Sequence, residues 1–196
     1  VPDLPIKFVG GHPAIDFVNT ADWPGPVAER LTGYGRLVEW SEDAGLLSPE
    51  IAARLRSLAR RNPRNAAAAL QRTHDTRTLL QRLFSRRVAG RIEKKDLAVL
   101  NRHLSAIAPR RQLTSAAATS AQWSWDDAAS NLESPLWPVV WAAAELLASD
   151  EADQIRICPG DQCGWMFIDR SRNGLRRWCE MQTCGTAEKS KRRAAK

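Results

Sequence analysis

Apolar residues recur every three or four positions along most of the first 150 residues, the spacing that gathers them on one face of a helix. In residues 12–20 that face is Ala14, Ile15, Phe17 and Val18. Over residues 35–44 it is Leu37, Trp40 and Ala44, and Gly45 ends the run. Ser48-Pro49-Glu50 then opens a helix in the preferred way, with a capping hydroxyl, a proline at the first position and an acid. Ile51, Leu55 and Leu58 line its face, and Asn62-Pro63 breaks it. A long helix is predicted over 64–88, with Ala69, Leu70, Leu79, Leu80, Leu83 and Phe84 as its stripe and Gly90 at its end. Another follows over 94–107 through Leu97, Leu100, Leu104 and Ile107.

The period changes after Pro109. Residues 112–115 and 122–126 read as two short strands around an Ala/Thr/Ser turn, with Trp123 and Trp125 alternating with polar neighbours. A last helix is predicted over 137–148. Ile6 to Val9 reads as a short strand before Gly10-Gly11, and residues 23–35 as a Pro- and Gly-rich loop. Trp123, Trp125, Trp137 and Trp141 are most simply core or interdomain packing. Residues 149–153 form a polar linker. The expected division is a mostly helical domain over 1–150, carrying one small β-hairpin and its own core, and a small α+β module over 154–196. No run approaches the roughly 18 uninterrupted apolar residues of a membrane span; the longest candidate, 136–148, is broken by Pro138 and Glu145. No basic stretch followed by an apolar one opens the chain, so nothing points to export or to a membrane partner, and the cytoplasm is the expected compartment.

Charge sharpens this division. Of the formal +7, six net charges fall in residues 155–196, where ten bases face four acids. The body is nearly neutral and the tail cationic, an asymmetry that suits a polyanion such as DNA.

All four cysteines lie in the same tail: Cys158 and Cys163, then Cys179 and Cys184. Thiols stay reduced in the cytoplasm, where such a cluster is more often a metal site than a disulfide frame. Two disulfides or four free thiols are the alternatives. Zinc takes four soft ligands in a tetrahedron, and two C-x4-C pairs supply them; four thiolates leave no position open to water, so the site would be structural. Between the pairs, Trp165 to Ile168 reads as a strand, Asn173-Gly174 as a tight turn and Arg177-Trp178 as the return strand. Good helix formers run from Thr186 to the end. A knuckle, a hairpin and a helix starting at the last ligand is the layout of a treble clef. Arg170 and Arg172 flank the expected hairpin tip, Arg176 and Arg177 lie on the return strand, and Lys189, Lys191, Arg192 and Arg193 on the terminal helix. These eight are candidate nucleic-acid contacts, arginine being suited to phosphate and guanine edges; the plainer account is a solvated charged surface.

The run from Cys158 to Gly185, C-P-x-x-x-C-G-W-x-F-x-D-R-S-R-N-G-x-R-R-W-C-x-M-x-x-C-G, resembles the CGNR zinc finger. Gly10 to Thr20, Leu37-Val38-Glu39-Trp40 and Ala44-Gly45-Leu46-Leu47 resemble the ABATE-type domain that accompanies this finger in bacteria. The resemblance spans nearly the whole chain and implies a two-domain stress-response transcription regulator with one structural zinc per chain. One feature departs from the family pattern: the Cys-Gly-Asn-Arg of its name is here Cys184-Gly185-Thr186-Ala187. The ligand and glycine are kept, and the Asn and Arg, with any contact that Arg makes, are not.

In the body, Asp16, Asn19, Arg30 and Trp40 could converge on a small effector; helix capping and core hydrogen bonding are the simpler use of these groups. There is no phosphate-cradling glycine loop, no G-x-S-x-G and no H-E-x-x-H, so no enzymatic activity is expected. Two functions fit: a DNA-binding regulator whose body senses an effector or forms a homodimer, and a zinc-stabilised module that meets RNA or a protein without reading a DNA sequence.

Overall fold

The computed structural model describes residues 4–23, 28–117, 119–161 and 163–194, with the side chain of Arg192 outside the description. Seven helices and two hairpins follow in chain order among these residues: α1 (Pro13–Val18), α2 (Tyr34–Asp43), α3 (Pro49–Arg61), α4 (Pro63–Val88), α5 (Lys94–Ile107), β1 (Arg111–Ala117), β2 (Ser120–Trp125), α6 (Trp137–Leu147), β3 (Ile155–Ile157), β4 (Met166–Ile168) and α7 (Thr186–Ala194). The fold is mainly helical, with one small hairpin in the body and a small α+β unit at the end.

The shortest helix of the body sits at its centre. His12 caps α1 by accepting the Ala14 N–H on Nδ1 at 3.3 Å, and Pro13 takes the first turn. Ala14, Ile15, Phe17 and Val18 are wholly buried. Around α1 pack α4, α6 and β4, while α2 and α3 close one side. Trp40 of α2 lies against Phe17, with ring centroids 5.4 Å apart. The proline-and-serine start of α3 forms as its sequence predicts, Ser48 accepting the Ile51 N–H. Asp96, buried on α5, takes Arg82 and Arg86 of α4, which binds those two helices together.

Three expectations need correction. Residues 6–9 pair with no strand; this stretch runs extended past the C-terminal unit, and Gly10 accepts the Ile168 N–H at 2.8 Å. The tryptophans are not one core group: Trp137 is buried, but Trp123, opposite Leu113 in the β1–β2 ladder, is 60% exposed. Beside it, Arg111 lies against the rings of Trp123, Trp125 and Trp141, so these aromatics clasp a cation at the base of the hairpin. In the C-terminal unit, β4 pairs antiparallel with β3, Ile155 opposite Ile168, so the first cysteine knuckle is the turn of that hairpin. Arg177-Trp178 is not a strand.

The expected linker is also more than a spacer. Residues 150–154 form a tight helical turn whose Ala152 is buried. Beyond it, β4 is buried along its whole length although successive side chains point to opposite faces, because both faces are covered. Met166 and Ile168, with Ile155 of β3, enter the main core of the body. Trp165 and Phe167 point the other way and pack with Cys158 and Cys179. One strand thus serves two cores.

Candidate metal centre and its basic rim

The four cysteines arrive from three local structures. Cys158 follows β3 directly, and its N–H donates to the Trp165 carbonyl at 2.7 Å. Cys163 closes the knuckle, its N–H reaching the Gly160 carbonyl at 3.1 Å. Cys179 ends the irregular segment after β4, and Cys184 lies in a wide helical turn, Met181–Gly185, that continues into α7. Knuckle and helix beginning at the last ligand keep the treble-clef order, with an irregular loop where the hairpin was expected. Glycines allow the close packing: a Cβ on Gly160 would lie 3.0 Å from the Cys184 sulfur, and one on Gly185 only 2.3 Å from the Met181 sulfur.

The four Sγ atoms all lie within 4.8 Å of one another. Cys163 and Cys179 are 3.6 Å apart and Cys179 and Cys184 3.7 Å. A disulfide needs about 2.05 Å. A tetrahedron with Zn–S bonds of about 2.3 Å has edges of roughly 3.8 Å, so the spacing fits a metal and not a cystine. Electrostatics agree. Hydrogen bonds from Cys163 and Cys179 pull the Cys158 thiol far below its ordinary value, and the same contact with Cys158 pushes Cys163 up to about 12 and Cys179 higher still. The first thiolate is stabilised by its neighbours' protons and opposes further ionisation, so four thiolates this close call for a cation.

The segment from Asp169 to Cys179 is held by one buried carboxylate. Asp169, 5% exposed, accepts the Ser171 N–H at 2.9 Å and its hydroxyl on Oδ1, and the Arg176 N–H at 3.0 Å on Oδ2. Gly174 turns the chain at φ +63°. This frame replaces the cross-strand pairing that Asn173-Gly174 suggested, and Asp followed two residues later by Ser was its legible signal.

The eight candidate bases fall into unlike groups. Arg176 turns inward: its guanidinium donates to the carbonyls of Trp178, Cys179 and Val9 and lies 4.3 Å over the Phe167 ring. Arg170 pairs with Glu151 of the turn that joins the two units, and Lys191 with Asp161 of the knuckle. Arg172, Arg177, Lys189 and Arg193 are exposed, and among the described residues no acid pairs with them. The side chain of Arg192 lies outside the described residues. Thr186 and Ala187, where the family motif has Asn and Arg, open α7 at the surface.

The four candidate pocket residues are all buried, each among contacts within the chain. Asp16 accepts the Gly10 N–H at 2.7 Å, and burial pushes its carboxyl up to about 6. Trp40 is wholly buried among Phe8 and Phe17. Arg30 reaches the Pro5 carbonyl, pairs with Asp22 and lies 4.7 Å over Trp165. Asn19 brackets one residue of β4, its amide donating to the Met166 carbonyl at 2.8 Å and accepting the Met166 N–H at 2.9 Å. With Trp165 Nε1 donating to Asp22 at 2.9 Å, these groups stitch the C-terminal unit to the body. Chain position alone could not show this partnership, since Asn19 and Met166 are far apart in sequence.

Comparison with known families agrees with this anatomy. Residues 154–196 match the CGNR zinc finger, so the four cysteines hold a single structural zinc ion. Bound there, the metal cross-links the knuckle to the start of α7 and supplies folding energy to a unit with little core of its own. No curated protein matches the chain. Among the described residues no helix is long and apolar enough to cross a membrane. Residues 11–150, the body that grips this finger through Asn19 and Asp22, match the ABATE family, described as "Putative stress-induced transcription regulator", and the chain therefore belongs to that family.

Proposed function

We propose that this regulator binds DNA through its finger, as a binding protein and not a catalyst. The observation that carries the reading is the set of exposed bases with no acidic partner among the described residues, Arg172, Arg177, Lys189 and Arg193, in a unit holding six of the seven net positive charges. Bases that neutralise phosphates release condensed counterions, which turns charge into salt-dependent affinity. The reading leaves Arg176 out, because its guanidinium donates to three backbone carbonyls. Arg170 and Lys191 start from exposed ion pairs, which are weak and could rearrange.

Fluorescence anisotropy on duplex DNA across a salt series tests the reading. Removing one base that neutralises a phosphate should lower the slope of log K against log salt by about one. Replacing Arg172 and Arg177 by Gln removes the loop bases, and replacing Lys189 and Arg193 by Gln removes the helix bases. A lower slope in either double variant, with zinc content unchanged, supports the reading. An unchanged slope in both refutes it. Equal or tighter binding to structured RNA would favour the rival module.

A further inference from the structure

The loop between β4 and Cys179 carries an unusual side chain at its tip. Leu175 is 71% exposed, and Met181 beside it is 55% exposed. With Arg177 and Trp178 they border one shallow concavity of about 430 Å³. A lone exposed leucine would mean nothing. Here the surrounding backbone is fixed. Asp169 holds Ser171 and Arg176, the Leu175 N–H donates to the Ser171 hydroxyl at 3.2 Å, and the Gly174 N–H reaches the Ser171 carbonyl at 3.1 Å. Asp169, Ser171 and Arg176 build the frame, and Leu175 stays exposed at the tip with Arg172 and Arg177, both exposed, three residues before it and two after it in the chain.

We propose that Leu175 is a wedge that enters between stacked bases from the minor groove while Arg172 and Arg177 hold the flanking backbone, a mode that rests on the DNA-binding reading above. Charge selects the partner. The loop's one acid, Asp169, is buried, and the nearby Glu180 is taken by Lys7 and Thr183. An acidic polymer fits such a rim. Shape selects the groove: a single loop suits the roughly 6 Å minor groove, whereas a helix or two-stranded ribbon needs the wider major groove. Proteins that use the minor groove combine basic side chains with apolar wedges that unstack a step and kink the duplex. A wedge held by its own frame loses little freedom on insertion, which favours binding.

The test uses the full zinc-loaded chain and a duplex of about 20 base pairs with a central TA step, the easily unstacked kind. Dyes at its two ends report bending, and 2-aminopurine beside the step reports unstacking. Wild type should shorten the end-to-end distance and brighten the 2-aminopurine. Leu175→Ala should bind about tenfold more weakly, the effect of one buried leucine side chain, abolish both signals and keep the salt slope. Arg172→Gln should lower the slope by about one and still bend the duplex. Leu175 is exposed, so its variants should fold, and equal zinc content checks this. If wild type binds a straight duplex, or Leu175→Ala bends it equally, the wedge is wrong although DNA binding stands. If wild type shows no salt-dependent binding, the DNA reading itself fails and the wedge with it. If Leu175→Ala changes only self-association in sedimentation, the tip is a protein-docking patch and the proposal is overturned.

Discussion

Replacing Asn19 by Ala should loosen the grip between body and finger more than any other single change at that seam. Asn19 is 1% exposed and Met166 wholly buried, so water cannot take the place of the Asn19 amide. The substitution orphans both the N–H and the C=O of Met166, which Asn19 satisfies at 2.9 and 2.8 Å. A buried polar group left without a partner costs about 1–3 kcal/mol. Two of them predict a destabilisation of about 2–6 kcal/mol. For a domain of this size 1 kcal/mol moves the melting temperature by about 2–4 °C, so a mid-range destabilisation lowers Tm by roughly 8–16 °C. Denaturant unfolding followed by tryptophan fluorescence measures the energy. Amide exchange at Met166 gives the local check, because protection there should fall even where global stability is restored by conditions. A change under about 1 kcal/mol, with Met166 protection unaltered, would refute the view that this side chain joins the two units.

Three further outcomes are expected. Elemental analysis should find one zinc per chain, with Cys158→Ser and Cys184→Ser each abolishing it and reducing the stability of the whole chain, since β4 belongs to both cores. A chain ending at Ser149 should melt without a cooperative transition: it lacks Ile155, Met166 and Ile168, each at most 2% exposed and each contributing about 1.5–3 kcal/mol when buried, together a large part of a typical stability of about 5–15 kcal/mol; a sharp calorimetric melt of this fragment would restore the independent body that the linker suggested. Asp16 should give a pH signature. Its folded value near 6 lies above its ordinary 3.8 because burial disfavours the charge, so the native state binds the extra proton. Its contribution is best below the ordinary value and declines as pH rises to about 6. Asp16→Asn should therefore gain on wild type by up to about 3 kcal/mol between pH 4 and 7, read from urea midpoints at each pH; a constant difference would contradict it.

Much of the chain was legible before folding because its information is local. The helices follow from apolar spacing and from caps such as Ser48-Pro49, which act within one or two turns. The metal site follows from the cysteine pairs, since ligand chemistry depends on residue type. The family resemblance came from short runs, Gly10 to Thr20, Leu37 to Trp40 and Ala44 to Leu47 in the body and Cys158 to Gly185 in the finger. Charge counting correctly placed the positive tail, but it could not sort the bases, because whether an arginine meets solvent depends on what lies opposite it in space. Arg172 and Arg176 look alike in sequence; one is exposed, and the other is enclosed by three carbonyls and a ring.

The tertiary structure alone decided how the two units meet. Asn19, Asp22 and Arg30 have the polarity of a ligand site, and their partners, Met166 and Trp165, lie more than a hundred residues away. Strand pairing was likewise beyond local reading: Met166–Ile168 has the composition of a strand, but its partner is Ile155–Ile157, and its other edge is taken by Asn19 and Gly10 of the body, which leaves no place for a return strand. By itself the sequence determined which residues form helices, which four ligate zinc and where the positive charge lies. Long-range packing decided that one strand, buried on both faces, makes body and finger share a structure.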